Sequence, residues 1–125
     1  MSKHLPESEL DIMLVIWDGG DGVPAPVILD GLGRTLTASA LHSYLKRLEE
    51  KGFISCTKVG KVNTYTALVT KEEYQRSAGA SMLQKLYNGS ISRFAAALYD
   101  GKKLDREELE QLQALLDRLS AEDMK

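Results

Sequence analysis

Apolar positions recur at helical spacing at both ends of this chain, and a short stretch of alternation lies between them. Over Glu7 to Trp17, Leu10, Met13, Leu14 and Trp17 form one stripe, and Ile12, Val15 and Ile16 widen it. That spacing predicts a helix buried on most sides, with Trp17 in the core. Pro6 suits its first turn, where a missing N–H costs nothing. Residues 18–22, DGGDG, break the pattern. Pro24 and Pro26 then open a short second helix through Val27, Ile28 and Leu29 that ends near Gly31 and Gly33.

The third helix carries the most informative pattern. Thr37 is an N-cap, Gly52 a C-terminal stop, and Leu41, Tyr44, Leu45 and Leu48 form the buried stripe between them. The opposite face offers Ser39, Ser43 and Lys46, flanked by His42 and Arg47. From Phe53 to Val59 and again from Val62 to Thr66 the residues are rich in β-branched side chains. Gly60, between Lys58 and Lys61, marks the basic tip of a hairpin. A helix with small, polar and basic residues on its free face, followed by a two-stranded wing, has the shape of a DNA-reading winged helix-turn-helix.

The tail is helical by pattern. Thr70 and Glu73 form a capping box for a helix running to about Tyr87, where Asn88 and Gly89 stop it. Ser90 begins another, with Ile91, Phe94, Ala95 and Leu98 on one side. Asp105 and Glu108 begin the last, which places Leu109, Leu112, Leu115, Leu116 and Leu119 on one stripe. These stripes need an apolar partner, either a fold-back within the chain or a second copy of it. Symmetric dimers are the commonest soluble oligomers, and a second copy is the better candidate. The last helix supports barely two heptads, which argues against a strict coiled coil.

Net charge at first argues against nucleic acid, since 16 Lys and Arg face 18 Asp and Glu. Its distribution reverses that reading. Residues 1–30 carry one basic residue, Lys3, against six acids, whereas residues 31–64 carry six against two. Attraction to phosphates acts through charges within about 10 Å, so the local excess is the quantity that counts. One cysteine, Cys56, rules out an internal disulfide and a cysteine metal cluster, and reads as a small packing residue. No stretch of apolar residues is long enough to cross a membrane, residues 1–10 lack the apolar core of a signal peptide, and a reducing cytoplasm is the expected compartment. The glycine-rich segments lack a Walker lysine-serine pair. The two histidines, His4 and His42, assemble no metal cluster and no nucleophile–base pair. Ser8, Glu9 and Asp11 read as helix-start residues, and no enzyme, cofactor or metal is expected.

Four blocks, in order, carry a resemblance to a known family. LPESELDIMLVIW, LHSYLKRLEEKGFI, YTALVTKEEY and KLYNGS resemble the first helix, the recognition helix with its Lys-Gly exit, the second wing strand, and the turn between tail helices of the penicillinase-repressor family. That group includes the β-lactamase, methicillin-resistance and copper-responsive repressors. The resemblance implies a mainly α fold with a small β-wing: a winged helix-turn-helix DNA-binding domain over residues 1–70 and a helical dimerisation domain over 71–125. It implies a dimeric repressor of a dyad operator in double-stranded DNA. Carried onto this chain, the DNA-facing positions are Ser39, Ala40, His42, Ser43 and Lys46. The family often has Thr and Arg where Ala40 and His42 stand, which leaves the operator sequence open.

Thr37, at the free N–H groups of the helix start, and Arg34, Arg47, Lys58 and Lys61 are expected at phosphates. Leu83, Leu86, Tyr87, Ile91, Phe94, Leu98, Leu109, Leu112, Leu116 and Leu119 are the expected dimer residues. Antibiotic-responsive members are released by cleavage of an Asn-Phe bond in the tail. The corresponding pair here is Ala97-Leu98, without the asparagine, so a sensor-linked protease is a candidate partner and the trigger is open. Copper-responsive members carry a cysteine-rich C-terminal motif. Residues 120–125, SAEDMK, hold no cysteine, and copper sensing by that motif is not expected. A winged-helix protein-interaction module without sequence-specific DNA binding is the alternative, because a fold does not settle a function.

Overall fold

A computed structural model describes residues 4–33 and 35–123. It divides into two compact units, Met1–Gly79 and Ala80–Lys125. The first holds helix α1 (Glu7–Gly19), strand β1 (Val23–Pro24), helices α2 (Ala25–Gly31) and α3 (Ala38–Glu50), strands β2 (Ile54–Val59) and β3 (Val62–Ala67), and the start of α4 (Lys71–Tyr87). The second holds the rest of α4 with α5 (Ile91–Asp100) and α6 (Arg106–Asp123).

Aliphatic side chains from every early element meet in one core. Ile12, Met13 and Ile16 of α1, Ile28 of α2, and Leu41, Leu45 and Leu48 of α3 close against Phe53, Ile54 and Tyr65 at the base of the wing. Each such fully buried side chain contributes roughly 1.5–3 kcal/mol through removal of apolar surface from water. The face that α1 buries is the one bearing Glu9, Ile12, Met13 and Ile16. This corrects the expected Leu10–Leu14 stripe, for Leu14 is 42% exposed. Apolar residues occupy most of α1, so periodicity left its orientation to be settled by contacts with α2 and α3.

The sheet is three-stranded and antiparallel, in the order β1-β3-β2. The hairpin pairs Ile54 with Ala67 through to Val59 with Val62. Its two-residue turn puts Gly60, at φ 65, first, the position at which a type II′ turn favours glycine. Strand β1 was not expected. Val23 pairs with Tyr65 and Pro24 with Thr64, and an edge strand tolerates a proline because its outward side needs no donor.

Helix α4 starts on the expected capping box. The Thr70 backbone N–H donates to Glu73 Oε1 at 2.9 Å, and the Glu73 N–H donates to Thr70 Oγ1 at 3.0 Å. The backbone bond from Thr70, followed by the bond to its side chain, holds the Glu73 carboxyl below its usual range. At α6 the Glu108 N–H donates to Asp105 Oδ1.

Candidate nucleic-acid interface

Helix α3 is fixed at both ends. At its start the Thr37 hydroxyl accepts the Ala40 N–H at 3.0 Å. At its end the Phe53 N–H donates to the Leu48 carbonyl and the Gly52 N–H to the Glu49 carbonyl, both at 3.0 Å. These are the two bonds of a Schellman stop. It requires a left-handed residue, supplied by Gly52 at φ 84. Phe53 is thereby turned into the core beneath Leu48, and the wing begins at the next residue.

With Leu41, Leu45 and Leu48 buried, the other face of α3 is free. Thr37, Ser39, His42, Ser43, Lys46 and Arg47 are exposed, and Ala40 is half-buried. The Ser43 hydroxyl reaches back to the Ser39 carbonyl at 3.4 Å, a weak bond that leaves its acceptor sites available. Arg47 lies over the Tyr44 ring at 5.5 Å, which holds its guanidinium along the flank of the helix. Lys58 and Lys61 are exposed at the wing tip on either side of the Val59–Val62 pair. Arg34, expected at a phosphate, lies outside the described residues.

The wing is stiffened at its base. Thr64 Oγ1 donates to the Thr57 carbonyl at 2.8 Å. Tyr65 is buried opposite Cys56 in the register. Burial first, and the hydrogen bond with Cys56 second, push its phenol up to about 12. Half-buried Cys56 thus packs against the inner ring of the wing.

Three connections hold this unit together that the sequence did not reveal. Trp17 Nε1 donates to the Val69 carbonyl at 2.8 Å. The Tyr74 ring stands 5.8 Å from both Trp17 and Phe53. Glu9, read as a helix-start residue, is instead 2% exposed, with its Oε1 2.6 Å from Lys51 Nζ. A cation 42 residues away in sequence has no periodic signature.

In the second unit, the ten residues expected at a dimer contact are all open to solvent to some degree. Leu86 is 70% exposed, Ile91 60% and Leu116 47%, while Leu83, Tyr87, Phe94, Leu98 and Leu112 are half-buried. Tyr87 and Phe94 meet edge to face at 5.3 Å. Between α5 and α6 runs an apolar groove of about 480 Å³, lined among others by Ile91, Phe94, Leu98, Leu112 and Leu115. Ala97 and Leu98 lie inside α5, their carbonyls accepting the Gly101 and Lys103 N–H groups at 3.1 and 2.8 Å.

The sequence matches the Penicillinase repressor family over residues 5–118. The chain belongs to the penicillinase repressor family. Its relatives include the penicillinase repressor of Bacillus licheniformis, 27% identical over 91% of this chain and 90% of that protein. Another is an uncharacterized 16.5 kDa protein of Latilactobacillus sakei, 30% identical over 96% of this chain and 83% of that one. The methicillin resistance regulatory protein MecI of Staphylococcus aureus is 21% identical over 92% and 94%. Among solved structures, a mutant of Lactococcus lactis ZitR superposes with a TM-score of 0.50 at 16% identity, over 97% of this chain and 77% of that one, a likeness of fold. The chain is thus a member of a transcriptional repressor family, not an enzyme family, and its fold is that of the winged-helix regulators. No helix among the described residues is long and apolar enough to cross a membrane.

Proposed function

We propose that this chain is a cytoplasmic, homodimeric repressor that binds a dyad operator in double-stranded DNA. Residues 1–70 act as the reader and 71–125 as the dimerisation region, with the first turn of α4 anchored on the reader through Tyr74. Two copies of α3 enter successive major grooves, about 34–36 Å apart as in other helix-turn-helix dimers. Ser39, His42, Ser43 and Lys46 meet base edges, with Lys46 suited to guanine O6 and N7. Ala40 lets the helix approach closely. The N–H groups at Thr37 and the cations Arg34, Arg47, Lys58 and Lys61 meet phosphates and set the register.

The observation that carries this reading is the exposed face of α3, polar from Ser39 to Ser43 and basic at Lys46 and Arg47, on a helix fixed by a cap and a stop. The uncovered leucines of α6 and the groove beside α5 support a second copy as the partner of the tail. Release by a sensor-linked protease at Ala97-Leu98 is the finer part of the proposal. That bond lies within a helix, so a protease must first unwind α5 locally.

The test is a gel shift of the full chain on the DNA upstream of its own coding region, over a series of salt concentrations. A retarded complex that weakens as salt rises supports the repressor reading. The absence of any salt-sensitive complex at low ionic strength favours a protein-interaction module instead.

A further inference from the structure

We propose that Glu9 is a positioning residue for the recognition helix, acting through Lys51, a role that rests on the DNA-binding reading above. Glu9 is the one charged residue that the described core encloses, 2% exposed on the inward face of α1 beside Ile12 and Met13. An apolar side chain would serve that core at least as well, because burying an ion pair costs desolvation that its attraction barely repays. The pair therefore needs a reason other than stability, and its location supplies one. Lys51 is the C-cap of α3. Its ammonium is drawn inward to within 2.6 Å of the carboxylate.

Ile12, Met13 and Ile16 of α1 share the apolar core with Leu41, Leu45 and Leu48 of α3. Apolar attraction is non-directional, so this packing decides which face of α3 is buried but adds no directional bond to hold its final rotation. A single directional charge-assisted bond fixes the rotation. A helix with its side chains is about 10–12 Å across, so a turn of about 20° moves the outer face by roughly 2 Å. Hydrogen bonds to base edges do not survive a displacement of that size. The pair engages the Lys51 ammonium with Glu9 while 27% of the Lys51 side chain stays exposed, and the role proposed for Glu9 is control of specificity rather than of general affinity.

The experiment compares the full-length wild type with Glu9→Leu/Lys51→Met, Glu9→Gln and Lys51→Arg. Each is unfolded in urea and titrated with its upstream operator fragment and with a scrambled fragment at one salt concentration. The double variant is expected to be as resistant to urea as the wild type, or more so. Its preference for operator over scrambled DNA should nonetheless fall about five-fold or more, the discrimination that a single base pairing supplies, with affinity for scrambled DNA unchanged. Lys51→Arg, which keeps the bond, should keep the preference. If the double variant does not fold, Glu9→Gln carries the same comparison at constant volume. An unchanged preference in the folded double variant, or in Glu9→Gln where the double variant does not fold, overturns the proposal. A wild type that shows no operator preference overturns the DNA-binding reading, and this inference with it.

Discussion

The phenolic oxygen of Tyr74 accepts the backbone N–H of Leu5 at 2.9 Å. This bond joins the first turn of α4 to the segment ahead of α1, and the same ring packs on Trp17 and Phe53. Tyr74→Phe keeps the ring but orphans a buried donor, and should cost about 1–3 kcal/mol. Tyr74→Ala also opens a cavity and should cost about 3–5 kcal/mol. Urea titration followed by Trp17 fluorescence measures both, and equal losses would show that the hydroxyl rather than the packing matters.

Gly52 occupies the left-handed position that ends α3, and a Cβ placed there meets nothing within 4 Å. The cost of Gly52→Ala is therefore one of backbone conformation alone, about 1–2 kcal/mol. Thermal unfolding should reveal a loss of that size, and operator binding should weaken with it, since this stop sets where the wing departs from α3.

The sequence revealed those features that leave a local mark. Thr37, Gly52, Gly60 and the Thr70–Glu73 box act on neighbours in the chain, and the leucines of α3 repeat at one period. Features built from distant partners left no such mark. Strand β1 is two residues long and exists because β3 offers it an edge. Glu9 is buried because Lys51, far along the chain, reaches it. In α1 the excess of apolar residues hid which face turns inward. For the candidate interface, exposure on α3 follows from the leucine stripe, whereas the stacking of Arg47 on Tyr44 has no counterpart in the residue pattern.

Tyr65 gives the fold an alkaline limit. Its phenol titrates near 12 in the folded chain against 10.0 in the open. A group whose folded value is raised adds stability that is full below pH 10 and is lost as pH rises through about 12. Stability should decline across that window, and Tyr65→Phe should flatten the decline. Urea midpoints measured from pH 9 upward test this, and identical pH profiles for both proteins would contradict it.

Leu116 and Leu119 are 47% and 45% exposed in the single chain. If a second copy covers them, Leu116→Asp/Leu119→Asp should leave the helical content unchanged while shifting sedimentation from dimer to monomer. Affinity for a dyad operator should fall with it, because two linked readers bind far more tightly than one. A wild-type chain that sediments as a monomer at high concentration would refute the dimer.

The most direct test of the reading of α3 and the wing is operator affinity as a function of salt for the wild type, Lys46→Ala and Lys58→Ala/Lys61→Ala. The wing variant should bind operator and scrambled DNA more weakly by the same factor, with a salt slope smaller by about 1 for each phosphate left without its lysine. Lys46→Ala should lose about 1–3 kcal/mol on the operator alone. A single uniform loss for both variants, or no salt dependence in the wild type, would contradict the assignment of α3 as the base reader and the wing as its phosphate anchor.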